Sequence, residues 1–186
     1  MSTRERILVP LAEGFEEIEA VTIVDVLRRA GLEVTQAGLA PGSVRGAHGI
    51  EIVPDADLGE LDLASFTILV CPGGQPGTRN LLADARVLAL ARRLHGEGRL
   101  VAAICAAPLV LQQAGILRGL EVTAHPSVRG ELAGARVDAQ ARVVRSGQVL
   151  TSQGAGTALE FALELVAGLL GEAKADELAR AMIVRR

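Results

Sequence analysis

The chain contains no tryptophan and no tyrosine, and aromatic residues fill only 2% of its 186 positions. That removes the stacking platforms on which bases are commonly held, and it obliges the core to be built from Ala, Val, Leu and Ile. An excess of basic charge is also missing: 19 Lys and Arg stand against 22 Asp and Glu, a formal net charge of −3. Without a basic stripe, no nucleic-acid partner is expected. Two cysteines, Cys71 and Cys105, are too few for a disulfide framework, and their apolar surroundings suit reduced thiols in the cytoplasm. The longest apolar stretch, 100–111, is interrupted by Pro108 and falls well short of the ~20 residues that span a bilayer. The N-terminal run turns acidic too early for a signal peptide. A cytoplasmic protein with no membrane partner is the expectation.

What is present is alternation. The apolar runs RILVPL (6–11), EVTQAGL (33–39), TILVCPGG (67–74) and RLVAAIC (99–105) read as strands. Between them lie helical patterns at 16–31, 78–98 and 108–114. A short strand at 121–125, a hairpin at 141–152 turning at Ser146-Gly147, a helix at 157–171 and a polar helical tail at 172–182 complete the chain. Fully apolar strands alternating with helices predict one α/β domain over 1–186. Its mostly parallel sheet is covered on both faces, and the hairpin lies at an edge or beside it. In such sheets reactive groups gather at the carboxyl ends of the strands.

Those ends carry Gly14, Gly73-Gly74, Cys105 and His125. Cys105 stands among Ala103, Ala106 and Ala107, just before Pro108. Small residues let a strand-to-helix turn close around a nucleophile, and a helix N-terminus lowers a thiol's pKa. A buried apolar thiol fits the same spacing. Cys71 sits inside its strand, where desolvation disfavours the thiolate, and reads as core. Gly73 and Gly74 offer two unobstructed backbone N–H groups for an anion, or simply a turn. On a helix from 16, Glu19 falls on the stripe of Ile23, Val26, Leu27 and Ala30, the core side, whereas Glu17 and Arg28 fall on the solvated side. A carboxylate on the buried stripe is costly unless paired or protonated, which makes Glu19 a functional candidate; capping of first-turn donors is the plainer alternative. Glu16, at the stripe's edge, is second. His125 could serve a thiol as base or orienting group or be structural. His48 has no partner that the sequence assigns.

Together GFEEIEAVTIVDVLRRAG, VCPGG, AAICAAP, TAHP and LTSQGAGTALEFAL resemble the DJ-1 branch of the DJ-1/ThiJ/PfpI superfamily, over nearly the whole chain. The resemblance implies a flavodoxin-like three-layer sandwich, a homodimer, and a small reactive carbonyl compound as substrate. It implies Cys105 as nucleophile, Glu19 as its carboxyl partner, His125 nearby, and an anion pocket made by the N–H groups of Gly74 and Ala106 beside the Gly73 turn. The activity it suggests is a cofactor-independent glyoxalase turning methylglyoxal into lactate, with deglycation related. The alternative is a redox-sensing or chaperone-like stress protein whose cysteine becomes a sulfinate stabilised by protonated Glu19. Three departures bear on this. Ala106 replaces the His that follows the cysteine in protease-like members, which disfavours peptidase activity. His48 stands where close relatives often have an Arg reaching a partner subunit's site. Ala124 replaces a common Thr. The segment GAG at 154–156 is no dinucleotide fingerprint, because Leu159 occupies the third glycine position. No CxxC or HxxxH spacing points to a metal site, so neither metal nor cofactor is expected.

Overall fold

The computed structural model describes residues 5–185. Its strands in chain order are β1 (Arg6–Leu11), β2 (Glu33–Gly38), β3 (Val44–Arg45), β4 (Glu51–Ile52), β5 (Ala56–Asp57) and β6 (Ile68–Cys71). They continue as β7 (Val101–Ile104), β8 (Glu121–Val122), β9 (Arg136–Val137), β10 (Val143–Ser146) and β11 (Val149–Ser152). The α-helices are α1 (Glu17–Arg29), α2 (Gly77–Ala83), α3 (Ala85–Gly96), α4 (Pro108–Gln113), α5 (Ala158–Leu170) and α6 (Glu172–Ala181). Seven strands form one sheet in the order β10-β11-β7-β6-β1-β2-β5. All its pairs are parallel except β10 with β11. The predicted hairpin therefore forms one edge of the sheet, and β5 forms the other.

The uniformly apolar strands follow from cover on both faces. Ile7 and Val9 of β1, Val70 of β6 and Ile104 of β7 pack with α1, α5 and α6 through residues such as Ile23, Leu27, Phe161 and Leu178. The alternate residues Leu8, Leu69, Cys71 and Ala103 meet α2, α3 and α4 through Leu81, Leu90, Leu94 and Leu109. The result is the three-layer sandwich expected from the sequence. Among the described residues no helix is long and apolar enough to cross a membrane.

Besides β5, an edge strand that the sequence reading does not include, the structure departs from that reading in three places. The helix expected over 78–98 is two helices, because Asp84 is extended and its carboxylate accepts the Arg86 and Val87 N–H groups, starting α3 afresh. The strand expected to end at His125 stops at Val122 and pairs with β9 in a separate small sheet; His125 instead caps a 3₁₀ turn, Pro126–Glu131. Finally, β3 and β4 form a small antiparallel ribbon in what looked like loop. Its connection lies against the start of α1, and that contact reverses the expectation for Glu17.

From β1 the chain runs outward to β2 and then returns to β6 on β1's other side. This reversal opens a crevice at the strand ends, where ligands of open α/β sheets bind. The segment from Gly14 to Glu19 and the turn at Gly73 and Gly74 meet there.

Candidate active site

The start of α1 is tied to the turn after β6. Glu16 donates its N–H to the Gly73 carbonyl at 2.9 Å, and its carboxylate caps the helix by accepting the Glu19 N–H at 2.7 Å. Glu19 projects inward as the stripe predicts, and it is 0% exposed. Its Oε2 accepts the Gly73 N–H at 2.7 Å. Gly73 therefore positions the acid, and its N–H is not free for an oxyanion. The Glu19 carboxyl also faces the Cys105 thiol, but Oε1 makes no well-directed hydrogen bond in the protein. Burial raises the Glu19 pKa to about 7, against the opposing hydrogen bonds from Gly73 and Cys105.

Cys105 follows β7 with φ of 65°, the left-handed region that side chains other than glycine's seldom adopt. Two neighbouring segments hold it there. Its N–H donates to the Ser152 carbonyl at the end of β11 (2.9 Å), and its carbonyl accepts the His125 N–H (2.8 Å). Small neighbours are required. A Cβ on Gly73 would come within 2.6 Å of the Cys105 Cβ, and one on Gly74 within 2.4 Å of the Glu16 nitrogen. The backbone N–H groups of Gly74 and Ala106 point to the sulfur and favour its charged form. The lowered thiol pKa expected from a helix end is not found. Burial, followed by the charge of Glu19 and the hydrogen bond to it, pushes Cys105 up to about 12. The helix it precedes is only six residues long and begins three residues later. Cys105 and Glu19 thus compete for a single negative charge, and the pair titrates as a unit. Cys71 is 0% exposed and is pushed up to about 12 by burial alone, as a core thiol should be.

His125 joins the site through its backbone, although its strand lies outside the main sheet. Its Nδ1 lies 2.8 Å from Ser127 Oγ and accepts the Ser127 N–H at 3.3 Å, so the neutral ring carries its proton on Nε2. Cys105, Glu19, Gly73, Gly74, Ala106 and His125 are accordingly all brought together. Sequence reasoning missed Ser152, which clamps the Cys105 backbone, and Gly154, where a Cβ would touch both the thiol and the His125 ring. The small residues Ser152, Gly154, Ala155 and Gly156 are the available signal.

Glu17 is buried, at 5% exposure, not solvated. The connection between β3 and β4 folds over it: Oε1 accepts the His48 and Ile50 N–H groups at 2.7 and 3.4 Å, and Oε2 pairs with His48 Nδ1 at 2.9 Å. Burial alone would raise its pKa, but the His48 ring and these backbone donors outweigh it and lower the value. Donor atoms of Glu16, Glu17 and His48 lie within 4.8 Å of one another and could approach a cation, although Glu17 is already committed to His48.

The DJ-1/PfpI family profile matches residues 5–168. The chain is 41% identical to Protein dj-1beta of Drosophila melanogaster over 180 residues, covering 95% of this chain and 96% of that one. It is 38% identical to the glutathione-independent glyoxalase DJR-1.2 of Caenorhabditis elegans over 181 residues, covering 97% and 96%. The crystal structure of Drosophila DJ-1beta superposes with a TM-score of 0.94 at 38% identity, covering 98% of this chain and all of that one. Oxidized Toxoplasma gondii DJ-1 does so with 0.92 at 34%, again covering 98% of this chain and all of that one. The sandwich is thus of the flavodoxin-like kind seen in DJ-1 proteins, and the chain belongs to the DJ-1/PfpI family.

Proposed function

We propose that the protein is a cofactor-independent glyoxalase of the lyase type, converting methylglyoxal and water into lactate, with deglycation a related use of the same chemistry. The observation that carries the reading is the fully buried Glu19 carboxyl, held by Gly73 and facing the Cys105 thiol. The pair loses its first proton near pH 7, and the resulting negative charge rests mainly on Glu19. The reactive form is the minor one with that charge on sulfur, where the Gly74 and Ala106 N–H groups stabilise it and Glu19 keeps its proton.

The thiolate adds to the aldehyde carbon, and Glu19 delivers its proton to the aldehyde oxygen, giving a hemithioacetal. Glu19, now a carboxylate in a dry site and hence a stronger base, removes the hydrogen from that carbon. The electron pair moves to the ketone oxygen, which takes up a proton to give an enediol. A proton returned by Glu19 to the adjacent carbon and loss of the first carbon's hydroxyl proton leave a lactoyl thioester. Water attacks the thioester carbonyl as the Glu19 carboxylate takes one of its protons, sulfur departs as thiolate, and the lactic acid releases its proton to solvent as lactate. His125, with its proton on Nε2, assists the proton transfers. Metal-free protein should produce lactate from methylglyoxal, and Cys105→Ala and Glu19→Ala should each abolish this. Unchanged turnover in both variants would overturn the reading.

A second reading, a redox sensor, is favoured by the same N–H groups, since they and protonated Glu19 would also cradle a Cys105 sulfinate. A DJ-1 of known structure is oxidized. Mild peroxide should then add oxygen to Cys105 and spare Cys71, as read by peptide mass; equal oxidation of both would count against it. We also propose a homodimer. Ile18 and Val21 of α1 are exposed, as are Ile50 and Val53 of the ribbon region, large apolar side chains that a second copy would cover.

A further inference from the structure

Three glycines adjoin Cys105, and the fold requires only two of them. Side chains at Gly73 and Gly74 would collide with backbone or with the Cys105 Cβ, and Gly74 also has φ of 94°. Gly154 differs on both counts. Its φ of 163° and ψ of −170° are extended backbone that any residue adopts. A Cβ there would lie 3.8 Å from Cys105 Sγ and 3.6 Å from His125 Cδ2, both ordinary van der Waals contacts. The space beside the sulfur is therefore methyl-sized and imposed by neither packing nor backbone geometry.

The segment that leaves this space open is firmly held. Gly154 donates its N–H to Thr157 Oγ1 at 3.1 Å and accepts the Thr157 N–H at 2.8 Å. Thr157 Oγ1 also shares a 2.6 Å hydrogen bond with Ser152 Oγ. Gly154 also lines a surface depression of about 310 Å³, with His125, Arg142, Gln153, Ala155 and Thr157 among its other walls. Gly154 thus lines the depression, and a Cβ on it would stand beside the thiol.

We propose that Gly154 determines substrate size: the absent side chain opens a passage from the Cys105 sulfur to the depression, so the site accepts α-ketoaldehydes whose substituent is bulkier than a methyl group. This rests on the glyoxalase reading and extends it to a substrate class. The ketone substituent runs past Gly154 toward His125 while the aldehyde carbon meets the sulfur.

The test compares wild type with Gly154→Ala, using methylglyoxal and the branched isopropylglyoxal. In parallel, Cys105 alkylation by iodoacetamide and by the bulkier N-ethylmaleimide is mapped by peptide mass. The variant should melt as wild type does. It should lose about tenfold more kcat/KM toward isopropylglyoxal than toward methylglyoxal, a size typical of steric discrimination, and N-ethylmaleimide should slow more than iodoacetamide. Turnover of both aldehydes with an unchanged ratio would overturn the proposal and leave the glyoxalase reading standing. Size-selective alkylation changes in a protein that turns over neither aldehyde would sink the glyoxalase reading but support Gly154 as the gate. A variant that fails to fold would also overturn the proposal, because the space would then belong to the core.

Discussion

Glu17 and Glu19 stand two residues apart in the first turn of α1, both nearly sealed from solvent, and their pKa values move in opposite directions. Burial pushes both upward, harder on Glu19, which lies deeper than Glu17. Partners widen the difference into opposite signs. Glu17 receives two backbone N–H groups and the His48 ring, enough donors to replace lost water. Glu19 receives one backbone donor and faces a thiol that is itself a competing acid. The first arrangement fixes a charge in place, and the second leaves a proton available for chemistry. A buried carboxyl is a functional signal when its donors are too few for its lone pairs.

Changing pH sharpens this contrast most. The Glu19 pKa is raised from 4.5 to about 7, so the folded protein holds a proton in that interval which the unfolded chain has released. Stability therefore falls as pH rises from 4.5 to 7, whichever member of the pair bears the charge. It stays level to about 9 and falls again above that, because both thiols are raised from 9.0 to about 12 in the folded protein. Glu19→Gln removes this slope. It should match wild type below the interval and exceed it by about 3 kcal/mol at pH 8, as read by urea unfolding. A constant difference across that range would break the comparison.

Glu17 has the opposite sign and a smaller effect. Its lowered pKa contributes stability above the unfolded value of 4.5, and that contribution disappears as pH falls through the folded value. Glu17→Gln should cost about 1 kcal/mol at pH 7, the penalty vanishing in acid, while methylglyoxal turnover stays close to wild type. A large loss of turnover would place Glu17 in the chemistry and erase the distinction. Removing only the exposed His48 ring should have the smallest effect of the series, because the two backbone donors to Glu17 remain.

The sequence revealed Glu19 because a helix repeats its faces regularly, and one carboxyl on an apolar stripe stands out. The same periodicity misplaced Glu17. A helical pattern separates inside from outside only where nothing else covers the helix, and the cover here comes from two-residue strands with no periodicity to read. A strand end brings His125 near Cys105 in the sequence reading, but the strand before it stops at Val122 and belongs to another sheet; the backbone bond between the two residues depends on tertiary structure. The role of Gly73 was similarly hidden, because no pattern tells which of two adjacent N–H groups holds the acid. The main strands, by contrast, were legible as continuous apolar runs.

The left-handed backbone of Cys105 has an evolutionary consequence. A non-glycine residue in that conformation costs on the order of 1 kcal/mol, so glycine at this position would make a sturdier protein stripped of its thiol. Any lineage that stopped needing the sulfur would be free to drift that way. A cysteine kept there in the face of that pull would be a record of continued use.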